Sequence, residues 1–139
     1  MAARELFLDA AYLIALAVPD DEHHPKAVEL LQQTEASTRL FVTTQAVLFE
    51  VGDALCKPKH RAAAFRLLRA LEADPKVLIV PADAGVFTRA LELFQRRADK
   101  EWSLTDCISF VVMSDNQLTE ALTTDEHFKQ AGFVALLRH

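Results

Sequence analysis

The sequence predicts an α/β protein built on a parallel sheet that helices cover on both faces. Short apolar runs alternate along the chain with longer segments of helical periodicity. None of the junctions between them carries a tight hairpin signal, so neighbouring strands are expected to be parallel. Five strands and about seven helices fit into the 139 residues, which we expect to form a single domain over residues 1–139.

Each apolar run is predicted to be one strand of this sheet: residues 5–8, 40–42, 77–80, 121–123 and 133–137. Helices are predicted between and after them, over residues 10–18, 24–36, the segment from the second strand to Cys56, the segment after Pro58, 84–97, 104–114 and 127–131. Thr43 or Thr44 is a suitable cap for the third of these helices. In the helix over residues 84–97, the apolar side chains are expected to face inward: Val86, Phe87, Ala90, Leu91 and Phe94.

Composition excludes several classes of protein. The net charge of −5 argues against a basic surface, so any contact with nucleic acid must come from a local patch. Cys56 and Cys107 are expected to be buried, reduced thiols, and the lack of a C-x-x-C pair gives a structural zinc site no support. Without a signal-peptide core or an apolar stretch of about 18 residues, the protein is expected to be cytoplasmic.

Four acidic residues lie where one edge of the sheet should form. Asp9 follows the first apolar run, Asp125 follows the fourth, and Asp106 opens a helix. Glu50 lies about two turns into the helix after the second run. Right-handed crossovers place the carboxyl ends of parallel strands at one edge, where binding sites form. Carboxylates gathered there repel one another unless a cation holds them, so a divalent-metal site is predicted.

Each of these acids also has a structural interpretation. Asp9 and Asp125 could cap the helices that follow them. Asp106 stands three residues after a serine, which is the spacing of a capping box. Glu50 could belong to a solvent-facing stripe of its helix. The spacing therefore fixes where the acids lie and leaves their coordination open.

Four segments carry a resemblance to a known family: residues 8–13 (LDAAYL), 44–55 (TQAVLFEVGDAL), 102–110 (WSLTDCISF) and 122–128 (LTTDEHF). They are similar to the PIN-domain family, most strongly to the VapC-type toxins of bacterial toxin–antitoxin pairs. The likeness covers essentially the whole chain, including the turn at residues 130–133 (QAGF). The segments around Asp106 and Asp125 are the more specific ones, whereas an acid after the first strand is common.

The resemblance implies a three-layer α/β/α sandwich around a five-stranded parallel sheet, and a Mg²⁺- or Mn²⁺-dependent ribonuclease. Its catalytic and metal-binding residues would be Asp9, Glu50, Asp106 and Asp125, with Asp9 and Asp106 as the main direct ligands. Both ions prefer oxygen ligands, which these residues supply. Many relatives carry Thr or Ser directly after the first acid, where this chain has Ala10.

The resemblance also implies partners. RNA would be the substrate, and a small antitoxin protein of the VapB type would inhibit the enzyme, with an Arg that pairs with the acidic pocket. A homodimer is expected as well, through an apolar patch on the helices that flank Pro58. No membrane partner is expected.

Other residues receive weaker functional interpretations. The basic stretch Lys57–Arg61 could contact an RNA backbone, although a solvated helix face explains it more simply. His127 could orient a phosphate, but a surface or packing histidine is the simpler interpretation. Trp102 is expected to pack inside the protein, and Asp99 stands where some relatives carry an additional acid.

Three other functions would each require different features of the sequence. A haloacid-dehalogenase-type phosphatase needs a second Asp two residues after the first, where this chain has Ala11. A phosphate-receiver domain would need an acidic pair near the first strand and a Lys near the fifth, a set that this chain lacks. A non-catalytic PIN-like module that binds a protein or RNA partner remains the alternative function.

Overall fold

A computed structural model of the chain describes residues 5–138. Its strands are β1 (Glu5–Leu8), β2 (Leu40–Thr44), β3 (Val77–Val80), β4 (Glu120–Leu122) and β5 (Val134–Ala135). Its helices are α1 (Ala10–Ala17), α2 (His24–Glu35), α3 (Gln45–Ala54), α4 (Pro58–Ala73), α5 (Ala84–Arg96), α6 (Leu104–Asp115) and α7 (Glu126–Gln130). The predicted α/β/α sandwich with a five-stranded parallel sheet is confirmed.

The strands follow one another across the sheet in the order β3-β2-β1-β4-β5, and every pair is parallel. The first strand therefore lies at the centre of the sheet, with β2 and β3 on one side of it and β4 and β5 on the other, so that the strand order reverses next to it. Such a reversal between neighbouring strands opens a crevice at their carboxyl ends. Here that crevice lies between β1 and β4, which pair Leu8 with Leu122.

The core is formed by the central strands and the helices that pack on them. Leu6, Phe7 and Leu8 of β1 are buried, as are Ala121 and Leu122 of β4. Helix α6 is buried continuously from Asp106 to Met113 because it lies against the sheet and against α5. A run of aromatic contacts joins this helix to α7, with the rings of Phe110 and Phe128 5.0 Å apart in edge-to-face geometry.

Two predictions about individual elements were wrong in part. In α5, the side chains of Phe87, Leu91 and Phe94 are 45%, 46% and 47% exposed, whereas Ala90 is fully buried. The helix packs through the row that contains Ala90, and the neighbouring apolar row faces outward, with no element of residues 5–138 packed over it. The fifth strand is shorter than expected, since its ladder pairs only Val134 and Ala135 before the chain turns.

The cysteines differ from the expected pair of buried thiols. Cys107 is fully buried in α6, but Cys56 is exposed because α3 ends at Ala54 and leaves it in the connection to α4. Both thiols are free. Among the described residues, no helix combines the length and the apolar character that crossing a bilayer requires.

Candidate metal centre

Asp9 lies at the crevice between β1 and β4. Its backbone N–H donates to the Leu122 carbonyl at 3.2 Å, which extends the parallel ladder by one residue. Its side chain makes no capping hydrogen bond to α1. Instead, the Thr123 hydroxyl donates to Asp9 Oδ2 at 2.6 Å, and the residue is only 6% exposed. Asp9 thus occupies the N-cap position of α1 without the usual side-chain cap, and its carboxylate is oriented mainly by a residue that follows the neighbouring strand.

Asp106 combines the two interpretations that the sequence left open. It accepts a hydrogen bond at Oδ2 from the Ser103 N–H at 3.1 Å, while its own N–H donates to the Ser103 hydroxyl at 3.0 Å. This capping box fixes the first turn of α6. The same carboxylate oxygen lies 3.0 Å from Nδ1 of His127. Formation of the helix thus holds Asp106 against the first turn of α7.

Asp125 is likewise both a helix cap and a member of the cluster. Its Oδ1 accepts from the His127 N–H at 2.9 Å, at the start of α7. Its own N–H donates to the Thr123 hydroxyl at 3.0 Å. Thr123 therefore links Asp9 and Asp125 through one side chain. Thr123 was not among the site residues predicted from the sequence. The pair of threonines directly before Asp125 was the signal that could have indicated its role.

Glu50 lies further out than the three aspartates. It belongs to α3 and is exposed, but the charges of Asp106 and Asp125 act on its carboxyl group. Charge coupling also links Asp9 to Glu50 and to Asp106. The four acids that the sequence singled out therefore form one electrostatically linked group at the edge of the sheet where the strand order reverses.

Asp9, Asp106 and Glu50 resist ionisation. Burial, partly offset by the hydrogen bond from Thr123, and then the charges of Glu50 and Asp106, raise the pKa of Asp9 from 3.8 to about 7. Burial also raises the pKa of Asp106 above its ordinary value, despite the hydrogen bonds from His127 and Ser103. Although Glu50 is exposed as a residue, partial desolvation of its carboxyl and the charges of Asp106 and Asp125 raise its pKa too.

His127 occupies a position that the sequence analysis undervalued. Its Nδ1 atom lies 3.0 Å from Asp106 Oδ2 and 3.3 Å from Asp125 Oδ1, between the two carboxylates. Partial burial disfavours the imidazolium, but the hydrogen bond to Asp106 and the nearby acidic charges outweigh it and raise the pKa of His127. The Asp-x-His spacing directly after β4 was the signal for this placement, because an Asp cap and the second residue of its helix are close neighbours.

The donor set fits a divalent cation. Asp106, Asp125 and His127 each offer one ligand atom, and these three atoms all lie within 4.8 Å of one another. Asp9 and Glu50 add carboxylates whose negative charge reaches the same region. Hard divalent ions bind carboxylate oxygens readily, and a cation would offset both the burial of these carboxylates and the repulsion between them.

The remaining candidates lie in other surroundings. Asp99 pairs with Arg97 at 3.0 Å, so its charge is matched locally. Trp102 is buried, as predicted, and its indole N–H donates to Gln130 Oε1 at 3.0 Å. In the basic stretch, Arg61 donates to the Cys56 carbonyl, while Lys57 and Lys59 are exposed at the start of α4.

The chain belongs to the PIN-domain family, since the family model for the PIN domain matches residues 6–134. It is 30% identical over 130 residues to the 23S rRNA-specific endonuclease VapC20 of Mycobacterium tuberculosis, covering 93% of this chain and 95% of that protein. The crystal structure of M. tuberculosis VapC20, described as a sarcin–ricin loop cleaving toxin, superposes with a TM-score of 0.83 at 26% identity, covering 93% of this chain and 96% of that one.

Two more distant structures share the fold. VapBC2 of Rickettsia felis, bound to a promoter DNA fragment, matches with a TM-score of 0.65 at 14% identity, covering 94% of this chain and 96% of that one. A FitAcB structure of Neisseria gonorrhoeae matches with a TM-score of 0.64 at 18% identity, covering 94% of each chain. At these identities the likeness concerns the fold alone.

Proposed function

We propose that this chain, acting as one PIN domain over residues 1–139, is a divalent-metal-dependent endoribonuclease and the toxin of a toxin–antitoxin pair. The observation that carries the proposal is the gathering of Asp9, Glu50, Asp106 and Asp125 at the strand-reversal crevice, with raised pKa values for the first three. Carboxyl groups whose pKa values are raised by burial and by neighbouring acidic charges are typical of functional sites. A purely structural role would be served better by neutral side chains.

The proposed catalytic and metal-binding residues are the same four acids. A bound Mg²⁺ or Mn²⁺ supplies Lewis acidity at a phosphodiester and lowers the pKa of a water molecule. The chain's own contribution is position: the capping box holds Asp106, the N–H of His127 holds Asp125, and Thr123 holds Asp9. Preorganised carboxylates need little rearrangement when the substrate binds.

The first RNA to test is the sarcin–ricin loop of 23S ribosomal RNA. The relative that shares 30% identity with this chain is named for 23S rRNA, and its structure is described as cleaving that loop. The purified protein is expected to cut a sarcin–ricin oligonucleotide in Mn²⁺ or Mg²⁺ and to lose this activity in chelator. A shuffled oligonucleotide of the same composition serves as the substrate control.

Asp106→Asn tests the site directly. The substitution keeps side-chain volume and removes the charge, so cleavage should fall by at least about a hundredfold if the carboxylate stabilises the reaction. Asp20→Asn, in an exposed turn, is the matched control and should cleave like the wild type. Cleavage that persists in Asp106→Asn would indicate a contaminating nuclease. Intact metal binding with no cleavage of any RNA would favour the non-catalytic interaction module.

Two partners belong to the proposal. A small antitoxin protein is expected to silence the enzyme with an Arg that pairs with the acidic pocket and competes with the ion. Expression of the chain alone should slow bacterial growth, and co-expression of an adjacent small gene should restore it. Growth that is unaffected by the chain alone would argue against the toxin assignment and leave the nuclease assignment standing.

A further inference from the structure

Asp106, Asp125 and His127 form the most compact group of potential metal ligands among residues 5–138. Of the four acids that the family resemblance singles out, Asp9 and Glu50 are not members of this compact group, whereas the histidine is. We propose that His127 is itself a metal ligand, and that the centre holds its ion between two carboxylate oxygens and one imidazole nitrogen. This inference rests on the proposed function and concerns which ion the site selects.

The distances suit shared coordination of one ion. Nδ1 of His127 lies 3.0 Å from Asp106 Oδ2 and 3.3 Å from Asp125 Oδ1. Two adjacent ligand atoms that each lie about 2.1 Å from an octahedral ion are separated by about 3 Å. The two separations that involve His127 already have this spacing, and all three ligand atoms lie within 4.8 Å of one another, so the side chains could reach one shared ion with small adjustments.

Local structure keeps the three groups in place. Asp106 is fixed by the capping box at the start of α6, and Asp125 by the His127 N–H at the start of α7. A carboxylate has about four lone-pair positions, so these hydrogen bonds leave room for a cation. His127 is only two residues from Asp125 and is part of α7, so its ring is placed by the same short helix.

The histidine changes the expected metal preference. Mg²⁺ strongly prefers oxygen ligands and retains much of its water shell, so it gains little from an imidazole. First-row transition ions accept imidazole nitrogen together with carboxylate oxygen, and Mn²⁺ is the member of this series closest to Mg²⁺ in its use of carboxylates. The centre should therefore prefer Mn²⁺ over Mg²⁺. If His127 only donated a hydrogen bond to Asp106, no such preference would follow.

The experiment uses the full chain, without RNA. Mn²⁺ and Mg²⁺ affinities are measured by calorimetry, and pulsed electron paramagnetic resonance of the Mn²⁺-bound protein detects nitrogen bonded to the ion. We expect a directly coupled imidazole nitrogen in the wild type. In His127→Asn the coupling should disappear, Mn²⁺ affinity should fall about ten- to a hundredfold, and Mg²⁺ affinity should change by less than about threefold.

The choice of variant keeps the test decisive. Asn retains an amide that can donate to Asp106, so a purely positioning role would survive the substitution. His23→Gln, at the start of α2, removes a surface histidine and should change neither the affinities nor the nitrogen signal. Two results would overturn the inference about His127 while leaving the proposed function standing: Mn²⁺ binding without nitrogen coupling, or a ratio of Mn²⁺ affinity to Mg²⁺ affinity that is the same in His127→Asn as in the wild type. Absence of any ion binding would overturn both the inference and the proposed metal dependence.

Discussion

Asp9 is the acid at which burial and function conflict most. It is almost fully enclosed between β1 and β4, where an ionised carboxylate loses its hydration, and only the Thr123 hydroxyl and a backbone N–H compensate it. Its pKa of about 7 means that the folded chain without an ion retains a proton which the unfolded chain releases at 3.8. The cost of this ionisation is therefore part of the stability of the whole domain.

The raised pKa of Asp9 predicts a stability that falls as pH rises when no divalent ion is present. Between pH 3.8 and about 7 the folded state binds more protons than the unfolded state. The stability contributed by protonated Asp9 is thus complete below pH 3.8 and is lost as the pH rises through about 7. Each unit of pKa difference corresponds to about 1.4 kcal/mol, so the loss should amount to a few kcal/mol.

Urea unfolding in chelator, followed from about pH 5 to about pH 8, measures this loss. Asp9→Asn should have a much flatter pH dependence, because the amide does not ionise. Addition of Mn²⁺ at the upper pH should restore stability to the wild type more than to the variant. Parallel pH curves for the two proteins would contradict the assignment of the pKa to Asp9.

Tyr12 predicts a gain of stability from a single substitution. Its side chain is 2% exposed, and its hydroxyl has no hydrogen-bond partner within the described part of the chain. An unsatisfied buried hydroxyl costs roughly 1–3 kcal/mol, so Tyr12→Phe should stabilise the protein by about 1 kcal/mol. Thr43→Val is the contrast, since the buried Thr43 hydroxyl donates to the Leu8 carbonyl at 2.8 Å. Urea unfolding should show that second variant to be less stable than the wild type.

At the scale of elements, α6 contributes most to the candidate site. The helix is buried along its length, so its axis is fixed by packing against α5 and the sheet. Its first turn then delivers Asp106 to the carboxyl edge, where the macrodipole favours negative charge. The capping box and the proposed metal site therefore depend on the same turn.

Removal of the cap should affect stability and metal binding together. Ser103→Ala deletes the hydroxyl that accepts from the Asp106 N–H, and the loss of such a cap costs about 1 kcal/mol. Because the first turn also positions the Asp106 carboxylate, Mn²⁺ affinity should fall severalfold. Asp83→Ala removes the cap of α5, where Asp83 Oδ1 accepts from the Val86 N–H. Asp83→Ala should lower stability by about the same amount as Ser103→Ala, measured by urea unfolding, and leave Mn²⁺ affinity unchanged, measured by calorimetry. Equal loss of Mn²⁺ affinity in the two variants would contradict the proposed link between the cap of α6 and the metal site.

At the scale of the whole molecule, exposed aromatic side chains within residues 5–138 lie on two surfaces. One is the outward row of α5, with Phe87, Leu91 and Phe94. The other lies on the helices either side of Pro58, where Phe49 is 67% and Phe65 is 61% exposed. Exposed apolar patches of this kind commonly mark protein–protein contacts.

The second surface, Phe49 and Phe65, is where we predict the homodimer contact. A twofold interface would bring both rings against the same patch of a second copy. Light scattering of the purified chain should give about twice the mass of a monomer. In Phe65→Glu the measured mass should fall to that of a monomer, because the interface would have to bury an unpaired charge. Leu91→Glu, on the outward row of α5, should remain dimeric. The reverse pattern would move the interface to α5.

Much of this architecture was predictable from the sequence because its local signals agree with one another. Three local signals predict the same parallel α/β architecture: the Val77–Val80 run between two prolines, the Thr44 cap, and the alternation of strand and helix. The rule that binding sites form where the strand order reverses then predicts the location of the site. Asp9 and Asp125 follow strands, and Glu50 lies in the helix after a strand, so the same rule places these three acids. Asp106 opens a helix that follows another helix, and it was singled out by its capping-box spacing and by the family resemblance.

The sequence by itself therefore determined the order of elements, the parallel sheet and the edge at which Asp9 and Asp125 lie, whereas the packing of α6 brings Asp106 to them. Tertiary structure decided which apolar row of α5 is covered, because two adjacent rows of one helix have the same periodicity and only packing distinguishes them. It also decided that Thr123 and His127 belong to the centre. Their distances to the acids arise from chain segments that β-sheet pairing brings together, and local sequence does not encode such distances.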